Sequence, residues 1–137
     1  MSATPLKILT IDDESPIRRL LRVGLSTQGY EILGAPNGKT ALELLDKKPD
    51  LVTLDLDLPD LHGLELLKTI RSRIEGLPII VLSGRGDEAS KVQALDLGAY
   101  DYVTKPFGMN EHLARMRTAL SGGNGRCFVS AIFRWTS

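Results

Sequence analysis

The sequence predicts an α/β domain in which a five-stranded parallel sheet is flanked by five helices. Two observations lead to this fold class. Apolar runs typical of strands alternate with amphipathic helical stretches up to about residue 120. Each connecting stretch is long enough for a helix that crosses over between parallel strands. The length of 137 residues fits one domain, and 42% hydrophobic and 25% charged residues are typical of a globular protein.

The predicted strands are short apolar runs, as expected for strands that helices cover on both faces. A flavodoxin-like strand order, 2-1-3-4-5, is the common arrangement at this length, and it places the functional site between the first and third strands. The runs are residues 8–11, 30–33, 51–54, 78–82 and 102–104.

The predicted helices follow from apolar residues at helical spacing. We expect Ser15 to be the N-cap of the first helix, with Pro16 in its first turn and Gly29 at its end. Asn37-Gly38 is expected to turn the chain into the second helix. The apolar positions that mark the five helices are Ile17, Leu20, Leu21 and Leu25; Ala41, Leu42 and Leu45; Leu64, Leu67 and Ile70; Val92 and Leu95, ending at Gly98; and Leu113, Met116 and Leu120.

Charge and composition limit the classes of function. Seventeen basic and seventeen acidic residues leave no net charge that favours nucleic acid or a membrane surface. No apolar run approaches the roughly 18 residues of a membrane span, and the N-terminus lacks a signal-peptide core. Cys127 is the only cysteine, which excludes an intramolecular disulfide. A cytoplasmic protein that does not bind membranes is the simplest expectation.

Polar side chains follow the predicted strands at the edge where open α/β folds build their sites. Asp12 and Asp13 follow the first strand, Asp55 the third, Ser83 the fourth and Lys105 the fifth. Clustered carboxylates suit a hard divalent cation such as Mg²⁺. Lys105 and Ser83 supply a positive charge and a hydrogen-bond donor for phosphoryl oxygens, and Asp55 is a candidate nucleophile. The sequence therefore predicts a site for a metal ion and a phosphoryl group.

Residues 6 to about 120 resemble the receiver domain (CheY-like) of bacterial two-component response regulators. The motifs that carry the resemblance are Asp12-Asp13, the segment 55–59 with Gly63, Ser83, and Lys105-Pro106-Phe107 preceded by Tyr102. Their order along alternating strands and helices is more specific than any one of them.

The resemblance implies that Asp55 accepts a phosphoryl group from a sensor histidine kinase. It also implies that Mg²⁺ (or Mn²⁺) is held by Asp13, Asp55 and the backbone carbonyl of Asp57, with Asp12 acting through a metal-bound water. Such a domain is not an enzyme, because it only catalyses its own phosphorylation and slow dephosphorylation. Lys105 belongs to the same catalytic set.

The resemblance further implies a switch. Ser83 would follow the phosphoryl group inward and Tyr102 would change rotamer with it, which remodels the face formed by the fourth helix, fifth strand and fifth helix. Segments 81–85, 94–108 and 111–117 are similar to transcription regulators of the OmpR/PhoB type, and within these to Kdp potassium-transport regulators.

That branch forms homodimers through charged residues on the switch face. Two of the usual ion pairs are matched, whereas Tyr100 stands where an acid is usual and Gly122 where its arginine partner is expected. We therefore expect a weakened dimer. The matched residues are Lys91, Asp101, Glu111 and Arg115.

We expect residues 1–120 to form the receiver domain and residues 121–137 a flexible linker with an atypical tail. Regulators of this branch bind DNA through a following winged-helix domain, which is absent here. Codons for residues 127–137, read one nucleotide earlier, can spell Val-Phe-Arg-Phe-Gly-Asp-Leu-Ser-Val-Asp-Leu, which resembles the opening strands of that domain. We hypothesise that a frameshift truncated a longer regulator; the nucleotide sequence tests this. The alternative is an authentic added strand at 127–135.

Two other functions are open. Asp55-Leu-Asp57 resembles the Asp-x-Asp nucleophile motif of haloacid-dehalogenase-like phosphatases, although their nucleophile strand comes first and here Asp12-Asp13 precedes it. A receiver-like module that docks without phosphorylation is the second alternative. His62 and His112 are expected to be surface residues.

Overall fold

The computed structural model describes residues 5–58, 62–84 and 88–122. Strands and helices alternate along these residues. The strands are β1 (Lys7–Ile11), β2 (Glu31–Ala35), β3 (Leu51–Asp55), β4 (Ile79–Ser83) and β5 (Asp101–Thr104). The helices are α1 (Ser15–Ser26), α2 (Gly38–Leu44), which a 3-10 turn (Leu45–Lys47) follows, α3 (Gly63–Arg73), α4 (Glu88–Asp96) and α5 (Met109–Gly122).

The five strands form one parallel sheet in the order β2-β1-β3-β4-β5, which confirms the predicted fold and strand order. The register pairs Ile11 with Leu54, Asp55 with Leu82, and Ser83 with Thr104. All strands therefore end at one edge of the sheet, here called the carboxyl edge; the opposite edge is the amino edge.

Each face of the sheet carries its own apolar core. Alternate strand residues such as Leu9 and Val52 pack with buried residues of α2, α3 and α4. The intervening residues, such as Ile8 and Leu51, pack with α1 and α5. Burial of each large aliphatic side chain stabilises the fold by about 1.5–3 kcal/mol. The two cores hold the strand ends in fixed positions relative to one another.

The helix boundaries differ slightly from the predictions. Glu14 is the N-cap of α1 and makes no side-chain cap hydrogen bond, so Ser15 is the first helical residue instead of the cap. Gly29 adopts a left-handed conformation (φ 88°) just beyond the helix. The Asn37 side chain accepts a hydrogen bond from the Thr40 N–H at 2.8 Å, which confirms the predicted start of α2.

Two residues that mark α4 in the sequence do not belong to the core. Val92 is 48% and Leu95 is 38% exposed, whereas the buried residue of this helix is Ala94. A short helix that faces the sheet with one small residue leaves its larger apolar side chains in contact with solvent. The apolar spacing predicted the helix correctly, although the two residues that marked it are exposed.

His112 is fully buried, so its predicted surface position is wrong. Its ring lies 4.9 Å from that of Phe107, measured between centroids, and neither ring nitrogen has a hydrogen-bond partner among the residues that the structure describes. Burial, and secondarily the charge of Arg115, lower the pKa of His112 to about 4. His112, Met116 and Ala119 follow helical spacing on the buried face of α5, and this spacing is the signal that sequence reasoning missed.

Among the described residues, the longest helices are too short and too polar to cross a bilayer. The predicted tail at 121–137 lies outside the described residues except for Ser121 and Gly122, which belong to α5. The frameshift and added-strand hypotheses for the tail stay predictions.

Candidate functional site

Asp12 is fixed at the end of β1 by a complete set of backbone contacts. Its N–H donates to the Ala35 carbonyl at 3.0 Å, and its own carbonyl accepts from Arg18 Nη1 at 2.7 Å. Its Oδ1 accepts from the Glu14 N–H at 2.9 Å. The side chain is fully buried. Burial and these hydrogen bonds hold the Asp12 carboxylate inside the site.

Asp55 is the last residue of β3 and is also buried. Its Oδ1 accepts a hydrogen bond from the Asp57 N–H at 3.1 Å. Burial raises the pKa of Asp55, and the charge of Asp12 adds to that rise, whereas the Asp57 N–H and the Lys105 ammonium oppose it. Burial and the charge of Asp12 therefore destabilise the ionised form of Asp55, and a nearby positive charge stabilises it.

Lys105 bridges the two buried carboxylates. Its Nζ lies 3.0 Å from Asp12 Oδ2, 3.3 Å from Asp55 Oδ2 and 3.8 Å from Glu14 Oε2. Burial alone would lower the pKa of Lys105, but the hydrogen bonds and charges of Asp12 and Asp55 outweigh it and raise the pKa. The Lys105 N–H donates to the Ser83 carbonyl at 2.7 Å, so β4 holds the backbone of this residue.

Four carboxylates cluster at this edge, and Lys105 contacts three of them, Asp12, Glu14 and Asp55. Oxygen atoms of Asp12, Asp13, Glu14 and Asp55 all lie within 4.8 Å of one another. One lysine leaves most of this negative charge uncompensated, and oxygen-only donors of this kind are the ligands that Mg²⁺ prefers. The residues therefore fit a divalent cation. Glu14 is a site residue that sequence reasoning missed, although it directly follows Asp12-Asp13.

The loop after β3 is positioned by a close approach of two backbones. The Gly63 N–H donates to the Leu56 carbonyl at 3.1 Å, and a Cβ on Gly63 would lie 2.3 Å from Leu56 Cα. Only glycine allows α3 to begin at this place. Asp57 is exposed, and a cleft of about 440 Å³ lined by Asp13, Asp57, His62, Ser90 and Gln93 opens beside it. The acidic cluster is accessible from this side.

The two predicted switch residues lie on neighbouring strands. Ser83 ends β4 and is fully buried beside the Lys105 backbone. Tyr102 lies in β5 and its ring is buried in the core that faces α4. The structure thus brings five of the predicted residues to the carboxyl edge of the sheet: Asp12, Asp13, Asp55, Ser83 and Lys105. Tyr102 lies two residues before the end of β5, away from this edge.

The predicted interface charges form contacts within the chain. Arg115 Nη1 lies 2.8 Å from Asp101 Oδ2, and Arg115 Nη2 lies 3.1 Å from Glu111 Oε2. Lys91 is exposed on α4. The Tyr100 hydroxyl donates to the Thr118 carbonyl at 3.4 Å, so the residue at the expected acidic position contacts α5 of its own chain.

A parallel sheet in this order, with a lysine-bridged acidic cluster at its carboxyl edge, defines a class of α/β domain with a strand-end site for charged ligands. The chain belongs to the response regulator receiver domain family, whose match covers residues 8–117. It is therefore the receiver domain of a two-component response regulator. The family consists of signalling domains rather than classical enzymes.

Relatives place this receiver in the Kdp/OmpR-like branch. The transcriptional regulatory protein KdpE of Mycobacterium tuberculosis (strain H37Rv) is 51% identical over 114 residues, which are 82% of this chain and 50% of the relative. The phosphate regulon transcriptional regulatory protein PhoB of Pseudomonas aeruginosa is 43% identical over 116 residues, which are 82% of this chain and 51% of the relative. The chain spans about half the length of the curated relatives it matches.

Solved receiver structures have the same fold. A CheY-like receiver domain protein from Methanospirillum hungatei superposes with a TM-score of 0.84 at 26% identity, covering 89% of this chain and 98% of the other. The receiver domain of Klebsiella pneumoniae RstA, activated with BeF3, gives a TM-score of 0.79 at 31% identity, covering 83% and 97%.

Proposed function

We propose that Asp55 accepts a phosphoryl group from a phosphohistidine of a sensor histidine kinase. An Asp55 carboxylate oxygen forms a bond to phosphorus while the phosphorus–nitrogen bond of the donor breaks, and the departing imidazole takes up a proton from solvent. The product is an acyl phosphate on Asp55. The observation that carries the proposal is the contact of Lys105 with both buried carboxylates at 3.0 and 3.3 Å.

Lys105 and Ser83 are the residues that receive the transferred group. The Lys105 ammonium, which compensates Asp12 and Asp55 before the reaction, turns to the phosphoryl oxygens as negative charge builds up on them. The Ser83 hydroxyl, at the end of β4, donates a hydrogen bond to another of these oxygens. Both groups stand on strand ends, so little reorganisation accompanies the transfer.

Asp13, Asp55 and the backbone carbonyl of Asp57 are the groups that would hold Mg²⁺ (or Mn²⁺), with Asp12 contributing through water. A divalent cation bound there neutralises the charge of the acidic cluster and of the incoming phosphate. This proposal is supported by four carboxylates within 4.8 Å of one another and by the raised pKa of Asp55.

The phosphorylated site is proposed to act through Tyr102 on the face formed by α4, β5 and α5, which then forms a homodimer. Exposed Val92 and Leu95 offer that face an apolar centre. The charged residues proposed for its rim are Lys91, Asp101, Glu111 and Arg115.

The proposed domain limits are residues 1–120 for the receiver and 121–137 for the linker and tail. The names of the relatives support a transcriptional regulator as the full-length parent, with a Kdp-like potassium response as the proposed stimulus class. DNA contact belongs to a C-terminal domain outside this receiver.

Intact-mass spectrometry after incubation with acetyl phosphate and Mg²⁺ tests the acceptor directly. We expect a mass gain of one phosphoryl group that disappears in Asp55→Asn and without divalent cation. Asp46→Asn, which removes an exposed acid beyond α2, is the matched control and should be labelled like the wild type. A wild-type chain that gains no mass would favour the docking-module alternative, and labelling that persists in Asp55→Asn would identify another acceptor.

A further inference from the structure

Arg18 is a residue of α1 whose side chain reaches back to the acidic cluster. Its Nη1 donates to the Asp12 carbonyl at 2.7 Å, and its backbone N–H donates to the Glu14 carbonyl at 3.1 Å. The side chain is half-buried, whereas Arg19 of the same helix is exposed. Arg18 therefore holds the chain on both sides of Asp13.

The position of Asp13 depends on these backbone contacts more than that of Asp12 does. Asp12 is fully buried, and its carboxylate accepts hydrogen bonds from Lys105 and from the Glu14 N–H. Asp13 is exposed, so packing does little to fix its side chain. The Asp12 carbonyl and the Asp13 N–H belong to one planar peptide unit. A hydrogen bond that holds this carbonyl therefore also fixes the orientation of the backbone at Asp13.

The side chain of Arg18 reaches Asp12 by passing over β2. Gly34 of this strand pairs with Thr10 of β1. A Cβ on Gly34 would lie 3.8 Å from Arg18 Cδ and 3.1 Å from Arg22 Nη2, so both arginines lie over this glycine. Of the two, Arg18 donates to the Asp12 carbonyl. The two residues thus carry the same charge on the same face of α1 and differ in this hydrogen bond.

We propose that Arg18 is a positioning residue for the divalent cation and acts through the backbone of Asp13. This role rests on the proposed function, in which Asp13 is a ligand of Mg²⁺ or Mn²⁺. The hydrogen bond holds Asp13 in place before the cation arrives, which lowers the entropic cost of ordering this ligand on binding. Removal of the groups that orient metal ligands commonly weakens metal affinity by about 10–100-fold.

The positive charge of Arg18 has the opposite effect on cation binding. A guanidinium beside the acidic cluster repels a divalent cation, although solvent screens a partly exposed charge. If Arg18 acted through its charge alone, removal of the side chain would tighten cation binding. Weaker binding after its removal therefore supports the positioning role.

Binding of Mn²⁺ alone to the 137-residue chain, measured from the electron paramagnetic resonance signal of the free ion, tests the proposal. Arg18→Met keeps an unbranched apolar stem over Gly34 and removes the hydrogen bond. We expect it to weaken Mn²⁺ affinity by about tenfold. Arg22→Met is the matched control, because it removes the same charge from the same face of α1. It should bind Mn²⁺ as tightly as the wild type or slightly more tightly.

A double-mutant cycle separates positioning from a general effect on the fold. In an Asp13→Asn background, Arg18→Met should cause no further loss of affinity, because its effect requires the Asp13 carboxylate. Additive losses would overturn the proposal, and so would wild-type affinity in Arg18→Met. Urea denaturation verifies that all variants are folded. A wild-type chain that binds no Mn²⁺ would instead overturn the proposed metal site, and this role with it.

Discussion

At the scale of single residues, the charge balance around Lys105 determines what the acidic edge can bind. Its ammonium contacts Asp12 and Asp55, yet two further carboxylates lie within the same cluster. Asp12 and Asp55 are buried at adjacent strand ends and cannot move apart without disturbing the sheet, whereas Asp13 and Glu14 are exposed. This uncompensated charge is the reason for the proposed divalent cation at this site.

Mg²⁺ is expected to stabilise the folded chain measurably. At about 100 times its dissociation constant it should raise the free energy of unfolding by about 2.7 kcal/mol, because the ligand set exists only in the fold. Asp13→Asn, at an exposed position, should remove most of this gain, whereas Asp46→Asn should keep it. Urea denaturation with Mg²⁺ or EDTA measures the difference, and equal gains in the Asp13 variant and the wild type would contradict the assignment.

The lowered pKa of His112 predicts that the fold loses stability in acid. Its pKa is about 4 in the fold against 6.5 in the unfolded chain, so between these values the unfolded state binds more protons. Stability is therefore lost as the pH falls from 6.5 towards 4, by up to about 1.4 kcal/mol per pH unit. Denaturation curves measured across this range should show the loss.

His112→Leu should remove this part of the pH dependence. It should also raise the free energy of unfolding at neutral pH by about 1 kcal/mol, because a buried ring N–H without a partner disappears. His62→Asn, which replaces an exposed imidazole that caps α3, is the control and should retain the acid loss. A leucine variant with unchanged acid sensitivity would assign the effect to other groups.

At the scale of elements, the start of α3 and the loop after β3 are joined by the contact between Gly63 and Leu56. A Cβ on Gly63 would lie 2.3 Å from a backbone atom that cannot move away easily. The conformation of Gly63 is available to other residues, so the requirement is one of space. The position of the loop that carries Asp57 thus depends on the absence of one methyl group.

Gly63→Ala should lower the free energy of unfolding by about 1–3 kcal/mol, the usual cost of forced overpacking. It should also slow labelling by acetyl phosphate, because Asp57 moves with the loop. Gly76→Ala, where an added Cβ meets open space, is the matched control and should be neutral or slightly stabilising. Chemical denaturation compares the two, and equal stabilities would show that the backbone at Leu56 yields.

The elements also show where sequence reasoning succeeds. Strand ends could be located because apolar runs stop abruptly before Asp12, Asp55 and Lys105, and parallel topology then brings these residues together. The burial of α4 could not be deduced, because Val92 and Leu95 have helical spacing without facing the sheet. Tertiary packing decides which side of a short helix touches the core. The local sequence of α4 therefore does not determine which of its residues are buried.

At the scale of the whole molecule, three of the charged residues on the face formed by α4, β5 and α5 are already paired within one chain. Arg115 contacts Asp101 and Glu111 in the monomer, so pairs between two copies have to replace these contacts. An exchange of partially exposed ion pairs contributes little net free energy. In the proposed homodimer, association would then depend mainly on the apolar centre of the face, formed by Val92 and Leu95.

Arg115→Ala should weaken dimer formation of the beryllofluoride-treated receiver only slightly, because its ion pairs are exchanged on association, and it should change the free energy of unfolding by less than about 1 kcal/mol. Arg19→Ala, an exposed arginine on α1, serves as the control and should dimerise like the wild type. Sedimentation equilibrium over a concentration series measures both. A wild-type receiver that stays monomeric with beryllofluoride at high concentration would contradict the proposed interface.

Lys105 and Asp12 are 93 positions apart in the chain, although their side chains lie 3.0 Å apart. The contact closes the largest loop of the site, and it requires that β5, an edge strand, has already docked on β4. A contact of such high sequence separation carries a large entropic cost of loop closure. During synthesis, the acidic cluster accordingly stays without its lysine until nearly the entire domain has emerged, so Lys105 can reach Asp12 only in a completely assembled sheet.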